Sequence, residues 1–186
     1  CGGGAVQTCP LCETCNPMGG CVQGPRTGCT VPATALKSKL QLKNRTPDTG
    51  DLLNWKWLRG GATATAEFGD PLNTDDYALC IFNASSLLLK TVAPAGGTCA
   101  GKPCWKAISI KGYTYKDKDR TPDGLDKMLL RAGLAGKAKA LVKGKGTNLP
   151  NLPLPLPLPA TVQLQAENGE CWESTFFTVG QQQNDA

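Results

Sequence analysis

The stretch Lys137-Ala138-Lys139-Ala140-Leu141-Val142-Lys143-Gly144-Lys145 decides the fold class. Ala138, Ala140 and Val142 fall on alternate positions, and lysines hold most of the places between them. Successive side chains of an extended strand point to opposite faces, so this spacing makes one small apolar face and one cationic face. On a helix the same residues would be scattered around the axis. The period recurs along the chain. Leu36, Leu40 and Leu42 alternate with Lys37, Lys39, Gln41 and Lys43; Leu53, Trp55 and Trp57 lie opposite Asn54 and Lys56; Val162 and Leu164 alternate with Thr161, Gln163 and Gln165.

Further β-branched and aromatic runs cover Tyr77 to Phe82, Leu87 to Val92, Trp105 to Ile110, Tyr113 to Tyr115 and Cys171 to Val179. Pro47-Asp48-Thr49-Gly50, Ala95-Gly96-Gly97 and Pro122-Asp123-Gly124 are turn signals between them. The reading is all-β: a β-sandwich of about nine or ten antiparallel strands with Greek-key connections. A helix has room only around Leu125 to Ala135, where Gly133 and Gly136 favour a turn or a strand instead. Composition agrees: among 186 residues, 40% apolar and 19% charged describe a globular chain, and 22 Gly with 14 Pro describe many turns.

The first 30 residues have a different texture, so the chain divides into a cysteine-rich N-terminal segment, 1–30, and a β-sandwich domain, 31–186. Cys1, Cys9, Cys12, Cys15, Cys21 and Cys29 crowd the segment among Gly and Pro. It is too short to bury a core of its own, so cross-links or docking must order it. Ten cysteines with no histidine point to disulfides in an oxidising compartment rather than to metal. The Cys9-x-x-Cys12-x-x-Cys15 run lacks the onward spacing of an iron–sulfur motif. Cys1 before Gly2, Gly3 and Gly4 also resembles the acceptor end of a bacterial lipoprotein, but a disulfide-bonded terminus is the simpler reading. In the domain, Cys99 and Cys104 bracket a tight Ala-Gly-Lys-Pro loop and are expected to pair; Cys80 and Cys171 are then expected to clamp strands distant in sequence.

Residues 149–159 run Leu-Pro-Asn-Leu-Pro-Leu-Pro-Leu-Pro-Leu-Pro. As a polyproline II linker the leucines would spread over all faces, whereas in an extended segment Leu152, Leu154, Leu156 and Leu158 share one. The tract is therefore expected at a sheet edge or over the core.

Without histidine, Ser-His-Asp and Cys-His catalysis is excluded. Glu67, Asp70, Glu170 and Glu173 offer no recognisable carboxylate pair, so no catalytic residue, cofactor or metal ligand is assigned. Asp117, Asp119, Asp123 and Asp126 suggest an oxygen-rich calcium loop, but Lys118, Arg120 and Lys127 neutralise it, and a charged hairpin turn is expected. Trp55, Trp57, Trp105 and Trp172 sit in apolar runs and are expected in the core rather than on a sugar-stacking platform. Asn44-Arg45-Thr46 and Asn83-Ala84-Ser85 match the glycan acceptor pattern, which makes Asn44 and Asn83 possible glycosylation sites. A net charge of +5 suits acidic polysaccharide or an anionic surface and is too small to argue for nucleic acid. No run of some twenty apolar residues marks a transmembrane segment.

The stretches Leu53 to Phe82 and Cys104 to Gly146, with Trp-Lys-Trp, Phe-Gly-Asp-Pro, Tyr-Ala-Leu-Cys and Gly-Lys-Ala-Lys-Ala-Leu-Val-Lys-Gly-Lys-Gly, resemble a recurring domain of secreted bacterial surface proteins. That resemblance implies an extracellular or cell-surface location and carries no catalytic residue. The expected function is a structural subunit of an extracellular filament or matrix, built from copies of itself through its N-terminal segment. The alternative is a carbohydrate-binding or adhesive module whose lysine faces, Lys37 to Lys43 and Lys137 to Lys145, hold acidic glycan.

Overall fold

Period-two runs become strands in the computed structural model, which describes residues 9–151, 154–177 and 182–185, the last four by backbone alone. In chain order the strands are β1 (Glu13–Cys15), β2 (Cys21–Gln23), β3 (Lys39–Lys43), β4 (Leu52–Gly60), β5 (Tyr77–Asn83), β6 (Ser86–Ala93), β7 (Thr98–Cys99) and β8 (Lys102–Pro103). They continue as β9 (Trp105–Ala107), β10 (Gly112–Lys116), β11 (Leu125–Arg131), β12 (Ala138–Lys145), β13 (Ala160–Ala166), β14 (Cys171–Phe176) and β15 (Gln182–Asp185). No α-helix occurs among the described residues, and Leu125 to Arg131 is a strand.

A large sheet of order β15-β3-β4-β12-β11-β10-β9 faces a small sheet of order β14-β13-β5-β6. The chain crosses between them repeatedly, as a sandwich requires. All named pairings within both sheets are antiparallel except β15 on β3. The sandwich thus holds one more strand than the sequence reading reaches: β15 is wholly polar and carries no alternation to find.

Between the sheets lie Leu40, Leu42, Leu53, Trp55, Trp57, Met128, Leu130, Ala140 and Val142 from the large sheet, against Tyr77, Leu79, Ile81, Val162, Leu164 and Trp172 from the small one. All four tryptophans are core residues, and each indole N–H donates to a fixed acceptor. Trp55 Nε1 reaches Ser174 Oγ at 2.8 Å and Trp57 Nε1 the Glu173 carbonyl at 3.0 Å, so β4 is bonded across the interior to β14. Trp105 reaches the Pro94 carbonyl and Trp172 the Thr63 hydroxyl. The proline tract covers the core without forming a strand: Leu156 is buried, and Leu154 and Leu158 rest against the same cluster. Its prolines offer no N–H to a ladder. Leu152 falls outside the described residues.

A third layer is the described part of the N-terminal segment, residues 9–30, which lies on the outer face of the small sheet. This is why β5 and β13 are buried almost throughout, on both faces. Cys9 pairs with Cys21, Cys12 with Cys80, Cys29 with Cys171, and Cys99 with Cys104. Cys15 is also disulfide-bonded, and no described cysteine is free; Cys1 lies outside the described residues. The expected Cys80–Cys171 bridge is therefore corrected. Cys80 on β5 and Cys171 on β14 flank β13, which pairs with both strands. Two strand spacings of about 4.8 Å exceed the reach of a disulfide. Each cysteine instead takes a partner from the segment passing overhead.

Candidate functional site

Most groups that could carry chemistry are engaged in holding the fold. Under the N-terminal layer, Gln163 and Gln165 are fully buried. Gln165 Oε1 accepts from the Cys12 N–H at 2.7 Å, Gln163 Oε1 from the Arg26 N–H at 2.9 Å, and Gln163 Nε2 donates to the Arg26 carbonyl. The Arg26 guanidinium donates to the Ala166 and Cys9 carbonyls, and burial lowers its pKa from the ordinary value. These side chains supply hydrogen bonds to backbone groups of the segment that lie outside its one small ladder, β1 on β2.

The aspartate cluster behaves as the expected turn. Buried Asp117 accepts from the Asp119 and Thr121 N–H groups, each at 2.8 Å, while Asp119 accepts from Ala100 N–H and Asp123 from Val92 N–H. These three carboxylates serve different N–H groups, and with Asp126 they form no cluster that could hold a metal ion among the described residues. Glu67 accepts from the Ala64 N–H, Asp70 from Leu72, and Glu173 from Gln163, again without a facing pair. Asn83 donates its amide to the Pro159 carbonyl at 3.0 Å, and Asn44 donates to Asn151.

What remains is the outer face of the large sheet. On β12 the lysines alternate outward from buried Ala138, Ala140, Val142 and Gly144. Register sets them beside other cations: Lys143 opposite Lys127, Lys127 opposite Lys116, Lys139 opposite Arg131, and Lys39 opposite Lys56. Lys106 follows on β9, opposite Thr114. No Asp or Glu is paired with any of them in these ladders, and Asp126 is left out of the β11–β12 pairing by a bulge. Like charges directly opposite on one face destabilise a sheet, so this arrangement costs stability in the free protein. At the centre, Leu141 faces Leu129, both half-buried. With Thr114, Lys116, Lys127 and Lys143 they line a shallow depression of about 260 Å³.

The lysine faces at 37–43 and 137–145 are thus parts of one surface, joined through Lys56 of β4. Sequence reading did not connect them with Lys106, Lys116, Lys127 and Arg131. The signal in β11 is the alternation Lys127, Leu129, Arg131 against Met128 and Leu130, which becomes meaningful only once β11 is known to lie beside β12.

A cross-linked, three-layered β-sandwich with one cationic sheet face is the class that fold and surface define. No protein-family model matches the chain, and no curated protein or solved structure is similar to it. No helix among the described residues is long and apolar enough to cross a membrane.

Proposed function

We propose that the chain is an extracellular adhesive module that holds acidic polysaccharide on the outer face of its large sheet. The observation that carries this reading is the row Lys143, Lys127, Lys116, set side by side on β12, β11 and β10 without a carboxylate among them. A face that merely meets water does better with both signs interspersed. A repeating anion neutralises the row and releases its mutual repulsion. Leu129 and Leu141 add apolar contact for a sugar ring, and the flatness of a sheet suits an extended polymer. The disulfides fit an oxidising, extracellular setting, as does the resemblance to secreted surface proteins. Buried tryptophans weigh against recognition by aromatic stacking.

A structural subunit built from copies of itself is the second reading, favoured by the same buried tryptophans. Its assembly through the N-terminal segment has less support, since Cys12–Cys80 and Cys29–Cys171 tie that segment to its own chain.

Titration of the intact protein with polygalacturonate tests the first reading, with neutral dextran as the control. Binding should be confined to the acidic polymer, fall steeply between 50 and about 300 mM salt as screening sets in, and drop at least tenfold in K116Q/K127Q/K143Q. Equal affinity for dextran, or binding indifferent to the triple substitution, would refute it.

A further inference from the structure

Two large apolar side chains stand almost free in water at one end of the large sheet. Ile110, in the turn from β9 to β10, is 83% exposed, and Leu134, in the turn from β11 to β12, is 80% exposed. The turns are neighbours, because the Ala132 N–H donates to the Lys111 carbonyl at 2.9 Å and so carries the β10–β11 pairing one step past Gly112 and Arg131. Both are pinned to the fold. The Ile110 carbonyl accepts from the Thr65 hydroxyl at 2.6 Å, Gly133 exchanges both of its backbone bonds with Thr63, and the Gly136 N–H donates to the Gly60 carbonyl. A Cβ on Gly112 would lie 2.1 Å from the Leu130 carbonyl oxygen, so the first turn is pressed onto β11. Ser109 in that turn holds φ at +48°, a left-handed backbone that a serine rarely adopts. One exposed apolar residue needs no account. Two on adjoining, fixed turns form a feature that the core does not use.

The charge around them has one sign. Residues 105–116 and 127–145, which hold both turns and the strands beside them, contain lysine and arginine but no aspartate or glutamate. Lys106, Lys111, Arg131 and Lys137 flank the turns, and all four are exposed. Glu67, two residues beyond Thr65, keeps its carboxylate on the Ala64 N–H.

We infer that these two turns dock on an anionic lipid surface, with Ile110 and Leu134 entering the interface and the four cations lying at the level of the headgroups. Apolar tips gain by leaving water, and attraction to anionic lipid adds to that gain. Lysine and arginine suit the position, since their apolar stems can follow the tips while the charged heads stay with phosphate. Two tips offer little area to a protein partner, for which a stable interface buries about 800 Å² on each side. A bilayer sets no such requirement. Turns already fixed in place also lose little freedom on binding. Lys116, Lys127 and Lys143 lie toward the far ends of the same strands, so the inference stands apart from the polysaccharide reading.

Cosedimentation of the full chain with vesicles of phosphatidylglycerol and phosphatidylcholine, against vesicles of phosphatidylcholine alone, tests it. Wild type should bind the anionic vesicles at least tenfold more tightly, and less tightly as salt rises to about 500 mM. I110S/L134S, which alters only exposed side chains, should lower that binding at least tenfold with unchanged circular dichroism. L134W should shift its emission to the blue on the anionic vesicles, a signal distinct from the native tryptophans, which are already buried. Absence of binding, equal binding to both vesicles, or an L134W emission that does not move would each overturn the inference. Binding indifferent to I110S/L134S would assign adsorption to the lysine face alone and overturn it too. Self-association of wild type that I110S/L134S abolishes would give the turns to a second copy, with the same result.

Discussion

Trp55 shows how single atoms hold the two sheets in place. Its ring is fully buried, and its N–H is satisfied only because Ser174, the one small polar residue among the inward positions of β14, stands opposite. Removing that hydroxyl leaves a buried donor unpaired, at a cost of about 1–3 kcal/mol. S174A should therefore lower the unfolding free energy from urea titration by that amount, and an unchanged value would show that the bond contributes nothing. Gly60 makes a second such point. A Cβ built on it would lie 2.0 Å from the Trp57 ring. The ring is itself packed in the core and cannot withdraw, so G60A should destabilise by about 1–3 kcal/mol as an overpacked site does. Its tryptophan emission should shift as Trp57 is displaced.

At the scale of elements, alternation was readable wherever one face of a strand is apolar. Strands β3 to β6, β9, β10 and β12 to β14 follow the runs seen in sequence, with boundaries moved by a few residues, and β11 falls where the glycines left a turn or a strand open. Polar positions were less informative, because Gln163 and Gln165 have the same pattern whether water or another layer covers them. That they are buried becomes evident only with the N-terminal segment in place. The disulfide partners were hidden for a related reason: Cys80 and Cys171 both look like clamps, but pairing depends on which strands are neighbours, and β13 lies between theirs. Only Cys99 and Cys104 form a loop short enough to read locally. The segment's dependence on its bridges yields a prediction. Cys12–Cys80 and Cys29–Cys171 close loops of 68 and 142 residues. On the chain-entropy account each contributes about 4–5 kcal/mol. The paired replacement C12A/C80A should lose stability of that order. It should also speed hydrogen exchange at the Cys12 and Arg26 amides, which the glutamines otherwise protect, while β4 and β12 stay protected. Uniform loss of protection through the whole molecule would mean that the layer is not separable from the sandwich.

The molecule as a whole divides its charge unevenly, and this sets stability against binding. Lys127 stands between Lys116 and Lys143, one neighbour on each side. Replacing it with glutamate turns two repulsive cross-strand pairs into attractive ones. Opposite-charge pairs contribute roughly 0.2–1 kcal/mol each, so K127E should be more stable than wild type, most clearly at low salt where screening is weak. The same change puts a negative charge in the middle of the row that is to hold an anionic polymer, so affinity for polygalacturonate should fall more than tenfold. A gain in melting temperature together with a loss of binding is the signature of a surface kept strained for a ligand. A gain in stability with binding unaltered would identify the lysines as a solvated face with no partner, and no gain at all would mean that flexible side chains had already moved their charges apart. Measuring both quantities on one variant, at 20 mM and at about 500 mM salt, separates these cases, because the electrostatic part of each effect must shrink together as the salt rises.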